Sequence, residues 1–69
     1  MESKRLGLRI KAFRKLKRYT QKEFADKLHV SLSILGKVER GMMEPSPSLL
    51  ETIAQVLEID VKEIMQTDK

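Results

Sequence analysis

Apolar residues recur along this chain at spacings of three and four, the period of amphipathic helices, and the pattern predicts five helices and no strand. The first covers about Lys4–Lys17 and turns Leu6, Ile10 and Phe13 inward, with Leu16 or the stem of Lys17 completing the face. The second covers about Gln21–Leu28 and buries Phe24, Ala25 and Leu28. Thr20 with Glu23 three residues on forms a capping box at its start: the hydroxyl accepts an orphan N–H and the glutamate reaches back to the cap. Ser31 caps a third helix over Leu32–Arg40, with Leu35 and Val38 inward and Leu32, Ser33, Gly36, Lys37 and Arg40 outward. Gly41 stands where a helix C-terminus favours left-handed backbone, and Pro45 prevents the helix from resuming. Ser46 and Pro47 open the fourth helix as cap and first residue, followed by the stripe Leu50, Ile53, Ala54 and Leu57. Asp60 with Glu63 caps a short fifth helix that turns Val61, Ile64 and Met65 inward. Connections this short imply an all-α, compact five-helix bundle forming one domain over residues 1–69. Its last three residues are read as frayed.

Composition narrows what such a bundle can do. With 69 residues there is room for one core and none for an enclosed active-site cavity. The absence of cysteine excludes disulfides and thiolate metal sites. His29 is the single histidine, without a second ligand nearby in sequence, and reads as a turn residue. The carboxylates are spread as caps and solvated faces, and no nucleophile–base pair accompanies them. No enzyme and no cofactor are therefore expected. No apolar run approaches 18 residues and no signal-peptide pattern is present, so no membrane partner and a cytoplasmic location are expected.

Charge adds a direction. The net charge is +4, but residues 1–22 hold nine basic side chains against Glu2, a balance of +8. Residues 23–69 hold five basic against nine acidic, a balance of −4. A one-sided basic surface is the electrostatic footprint of a nucleic-acid binder. Residues 20–41 supply a matching shape, an exposed basic helix propped on a second short helix across a tight turn, which is what reading the major groove requires.

Ile10 with Arg14, Thr20-Gln21, Phe24-Ala25 with Leu28, Val30-Ser31, and Leu35, Val38, Glu39 and Gly41 continue into Pro45-Ser46, Leu50, Ile53-Ala54 and Leu57. In this spacing they resemble the helix-turn-helix domains of the lambda/434 repressor and Cro type, from Leu6 to about Met65. The resemblance implies a bacterial or phage transcriptional regulator, a repressor, associated with the nucleoid. Its partner would be double-stranded DNA, bound as a homodimer on pseudo-palindromic half-sites about one helical turn apart. Base-reading positions fall on Leu32, Ser33, Gly36 and Lys37, and phosphates are held by Gln21, Lys22, Ser31 and Arg40. In the family, the residue at Gln21 either touches a phosphate or buttresses a side chain of the reading helix. Arg14 and Glu39 fall on positions that form an ion pair there; an exposed pair would contribute ~0–1 kcal/mol. Val56, Ile59, Val61 and Met65 are candidates for the dimer contact or for core.

The chain departs from the family pattern in three respects. His29 and Arg18 replace glycines at positions that want left-handed backbone. The reading helix also lacks Asn, Gln and a leading Arg, the side chains of bidentate base contacts. Leu32 remains to pack on a thymine methyl, Ser33 to bond a base edge, and Lys37 to reach guanine. A rival follows from the same residues: a protein partner docked on Leu32, Ile34, Gly36 and the loop methionines Met42 and Met43. An exposed Ile34 continuous with Leu32 and Met42 would favour that partner. One of Met42 and Met43 is expected to be buried, and the Tyr19 ring to pack where the first two helices meet.

Overall fold

The structure, a computed structural model, describes residues 3–65, so the reading of the last three residues as frayed falls outside the described residues. Five helices and no strand form among them: α1 (Ser3–Leu16), α2 (Gln21–Leu28), α3 (Leu32–Glu39), α4 (Pro47–Leu57) and α5 (Val61–Met65). The starts of α2, α3, α4 and α5 are fixed by the residues the sequence places there. Thr20 Oγ1 accepts the Glu23 N–H and Glu23 Oε1 accepts the Thr20 N–H, closing the capping box. Ser31 Oγ accepts from Ile34 N–H, Ser46 Oγ from Leu49 N–H, and Asp60 Oδ1 from Lys62 N–H.

The apolar stripes converge on one cluster: Leu6, Ile10, Phe24, Ala25, Leu28, Leu35, Val38, Leu50, Ile53, Ala54, Leu57 and Ile64. Phe13, Tyr19, Val30, Met43, Val56, Ile59 and Val61 pack around it, half-buried. Tyr19 stacks on Phe24 with ring centroids 5.7 Å apart, closing the α1–α2 junction as expected. Met43 joins the core edge while Met42 stays exposed.

Two expected inward residues turn out. Leu16 is 73% exposed, and Lys17, the alternative for that place on the face, is exposed too. The step from Ile10 to Leu16 is six residues, which carries a side chain roughly 120° off the Ile10 face; Arg14 occupies the buried position instead. Met65 is also exposed, because α5 is barely more than one turn long and Ile64 takes its buried side.

Close approach sets the α1–α3 crossing. A Cβ on Gly7 would overlap the Val38 carbonyl oxygen, so the backbones of the two helices meet without a side chain between them. The loop after α3 does the same: Gly41, at φ 76°, lies against the backbone of Lys4.

Three helix ends use left-handed backbone without glycine: Arg18 (φ 67°), His29 (φ 62°) and Glu58 (φ 60°). The first two follow from the departures noted in the sequence; Glu58 carried no such signal. Left-handed backbone costs an ordinary residue about 1–2 kcal/mol, and glycine returns roughly 0.5–1 kcal/mol of that as unfolded-chain entropy. Glu58→Gly is therefore expected to raise the unfolding free energy by about 0.5–1 kcal/mol in urea denaturation.

Candidate nucleic-acid interface

The helix α3 has two faces with separate duties. Leu35 and Val38 enter the core, and Glu39 sits beside them at only 3% exposure. Glu39 is satisfied by a fan of donors. Arg14, itself 6% exposed, gives Nε to Glu39 Oε2 at 2.7 Å and an Nη2 hydrogen to Oε1 at 3.2 Å. Its Nη1 reaches the Tyr19 carbonyl oxygen at 2.9 Å. Gln21 Nε2 donates to Glu39 Oε1 at 2.9 Å. One carboxylate thus ties α3 to α1 and to the first residue of α2. The ion pair implied by the resemblance exists, but buried and two-pronged, unlike an exposed pair of negligible worth.

Gln21 resolves toward buttressing: its amide nitrogen is committed to Glu39, with one N–H of that nitrogen and its backbone left for other bonds. Lys22 is exposed and stands 3.4 Å from Asp26, a weak contact one turn along α2. Ser31 is exposed with its oxygen accepting the Ile34 N–H, so its own hydrogen is free to donate. Leu32, Ser33, Lys37 and Arg40 are exposed, in the register expected of an outward face.

Gly36 differs from its expected exposure. It is buried, because the Arg40 guanidinium folds back over it: a Cβ there would meet Nη1 at 3.1 Å. The obstacle is the tip of a flexible, exposed side chain, not backbone. Gly36→Ala is expected to displace Arg40 slightly and stabilise the fold by up to about 1 kcal/mol, read as a rise in the thermal midpoint.

The basic charge of the first 22 residues is not all outward. Arg14 is neutralised in the core, and half-buried Arg9 donates to the Glu63 carbonyl at 3.0 Å, pinning α1 to α5. Lys4, Arg5, Lys11, Lys15, Lys17 and Arg18 remain exposed. The structural role of Arg9 was missed in the sequence, where it was counted only as charge. Among the described residues no helix is long and apolar enough to cross a membrane.

Residues 10–64 match the sequence profile of the helix-turn-helix family. The chain is 48% identical over 69 residues to the uncharacterised helix-turn-helix transcriptional regulator YazB of Bacillus subtilis, spanning all of both. It is 43% identical over 60 residues to the immunity repressor of Bacillus phage phi105, covering 87% of this chain but 42% of that protein. Among solved structures, the biofilm master regulator SinR in complex with DNA superposes with a TM-score of 0.83 at 37% identity, over 88% of this chain and 98% of that one. These relatives are regulators and repressors and not enzymes. The chain belongs to the helix-turn-helix family, of the lambda repressor and Cro type.

Proposed function

We propose that this protein is a sequence-specific DNA-binding transcriptional regulator, a cytoplasmic repressor that inserts α3 into the major groove of a pseudo-palindromic operator. The observation that carries the proposal is the division of α3: Glu39, Leu35 and Val38 are locked inward while Leu32, Ser33, Lys37 and Arg40 project outward from the same eight-residue helix and its cap. Leu32, Ser33 and Lys37 read base edges. Lys22, Ser31, Arg40 and the free N–H groups of Gln21 hold phosphates, aided by the positive end of the α2 dipole. That SinR is held on DNA in its structure supports the same use of this fold. The protein acts as a homodimer on DNA, joined through the α5 face where Met65 is exposed beside Val61 and Pro47.

The competing protein-interaction reading draws on exposed Leu32 and Met42. Ile34, which would have to join them, is half-buried, and this weakens it.

Selection from random duplex DNA tests the proposal, with the affinity of the recovered pool followed from low to physiological salt. Mirrored half-sites should be enriched. Lys37→Ala should then lose about 1–3 kcal/mol of discrimination at one base pair, whereas Arg40→Ala should weaken all sequences alike and lower the salt slope by about 1. Failure to enrich any motif, with residual affinity vanishing at physiological salt, would overturn it.

A further inference from the structure

Gly36 leaves the exposed face of α3 because one flexible side chain lies on it. The three atoms nearest the place of its missing Cβ all belong to Arg40: Nη1 at 3.1 Å, Cζ at 3.8 Å and Nη2 at 3.9 Å. Side chains on a helix lean toward its N-terminus, so Arg40, the C-cap of α3 and four residues on, reaches back over Gly36. Its guanidinium forms no hydrogen bond or ion pair with another described residue, so van der Waals contact alone keeps it there. The proposed phosphate contact of Arg40 draws that group away from the helix toward the DNA backbone and uncovers Gly36. Nothing in the packing of α3 requires a glycine at this position, and glycine weakens the helix, so its use lies on the surface.

The uncovered hollow is apolar and the size of a methyl group. Leu32, one turn earlier on the same row and 47% exposed, walls one side. The Gly36 carbonyl accepts the Arg40 N–H at 3.0 Å, and the Gly36 N–H is spent inside α3, so the backbone there is already paired. The amino groups and acceptor atoms of the major groove would lose water against it without gaining a partner. The C5-methyl of thymine has no such loss and fills the space. We infer that Gly36 is a specificity-determining position that reads thymine, seating its C5-methyl in the hollow of the missing side chain, with Arg40 as the cover that departs for a phosphate. The inference rests on the proposed insertion of α3 into the major groove and adds to it a base reader that has no side chain.

The test is a methyl scan of the operator recovered by selection. Each thymine of a half-site is replaced singly by deoxyuridine, which removes the C5-methyl and leaves the hydrogen-bonding groups of the base in place. Burial of one methyl corresponds to about fourfold in affinity, and that loss is expected at one thymine of the half-site. Gly36→Ala puts its own methyl in the hollow. It should melt no lower than the parent chain, bind the thymine operator about fourfold more weakly, and lose nothing further on the uridine replacement at that thymine. Arg40→Ala should weaken all sequences yet keep the loss at the same thymine, because its hollow is open from the start. Methyl effects that survive in Gly36→Ala at every thymine would overturn the inference and leave Leu32 as the methyl reader. A methyl effect abolished by Arg40→Ala would also overturn it, by placing the guanidinium and not the bare backbone against the base. A selected motif with no methyl-sensitive thymine defeats this inference alone, whereas failure to select any motif defeats the reading on which it rests.

Discussion

Glu39→Ala is expected to cost about 3–5 kcal/mol of folding free energy, measured by urea or thermal denaturation. The loss arises less from the missing contact than from what remains. Arg14 is buried and permanently charged, and the alanine variant leaves it with the Tyr19 carbonyl as its one remaining partner among those bonds. Gln21 loses the acceptor for its amide as well. A chain of 69 residues has a total stability of about 3–10 kcal/mol, so this single change consumes much of it or all of it. The control is Arg14→Met with Glu39→Leu, which removes both charges and fills the space. It should recover most of the loss, because an apolar pair of similar volume carries no desolvation penalty. If Glu39→Ala melts within a degree or two of the parent protein, the ion pair does not have the burial described above.

Gly7→Ala is expected to be the most damaging methyl group that can be added to α1. Alanine is favoured over glycine inside a helix by about 1 kcal/mol, so propensity alone predicts stabilisation. Here the added Cβ falls on the Val38 and Glu39 carbonyl groups, which are backbone and cannot rotate away. The helices must separate, Glu39 shifts from Arg14, and the Leu35–Val38 face lifts from Ile10. Overpacking of this kind costs about 3 kcal/mol at its upper range, which outweighs the propensity gain. The sign of the change in thermal midpoint decides between the two effects. Gly36→Ala on the facing helix should move the midpoint the other way, since the atoms nearest its Cβ belong to the Arg40 guanidinium.

That contrast shows where sequence reasoning stops. Both glycines sit in the middle of amphipathic helices, and periodicity treats them alike; only the crossing of α1 over α3 makes one irreplaceable and the other a dispensable weakness. The helices themselves, their caps and the stripes of α2, α3 and α4 were legible, because each rests on spacing within one element or on a cap three residues from its partner. Arg14 and Glu39 were legible as a pair by resemblance to the family, but their burial depends on which neighbours close over them, and that is a tertiary fact. Leu16 misled because its six-residue step from Ile10 carries it well off the face that the four-residue step to Arg14 keeps. Glu58 gave no sign of its left-handed backbone, since nothing local marks the end of α4 except the apolar stripe running out. The outward register of Ser33, Lys37 and Arg40 followed directly from the inward register of Leu35 and Val38, so the candidate interface was readable wherever α3 was.

The separation of duties along α3 bears on how such a protein can change. The residues that fasten the helix (Leu35, Val38 and Glu39) are buried, and those that project from it (Leu32, Ser33 and Lys37) are exposed. Substitutions at the projecting positions therefore leave stability almost untouched, so drift among them is not filtered by the folding threshold that removes most mutations. Under the proposed reading, new operator preferences are reached through intermediates that all stay folded. Gene duplication followed by divergence at three solvent-facing positions would suffice to found a regulator with its own targets.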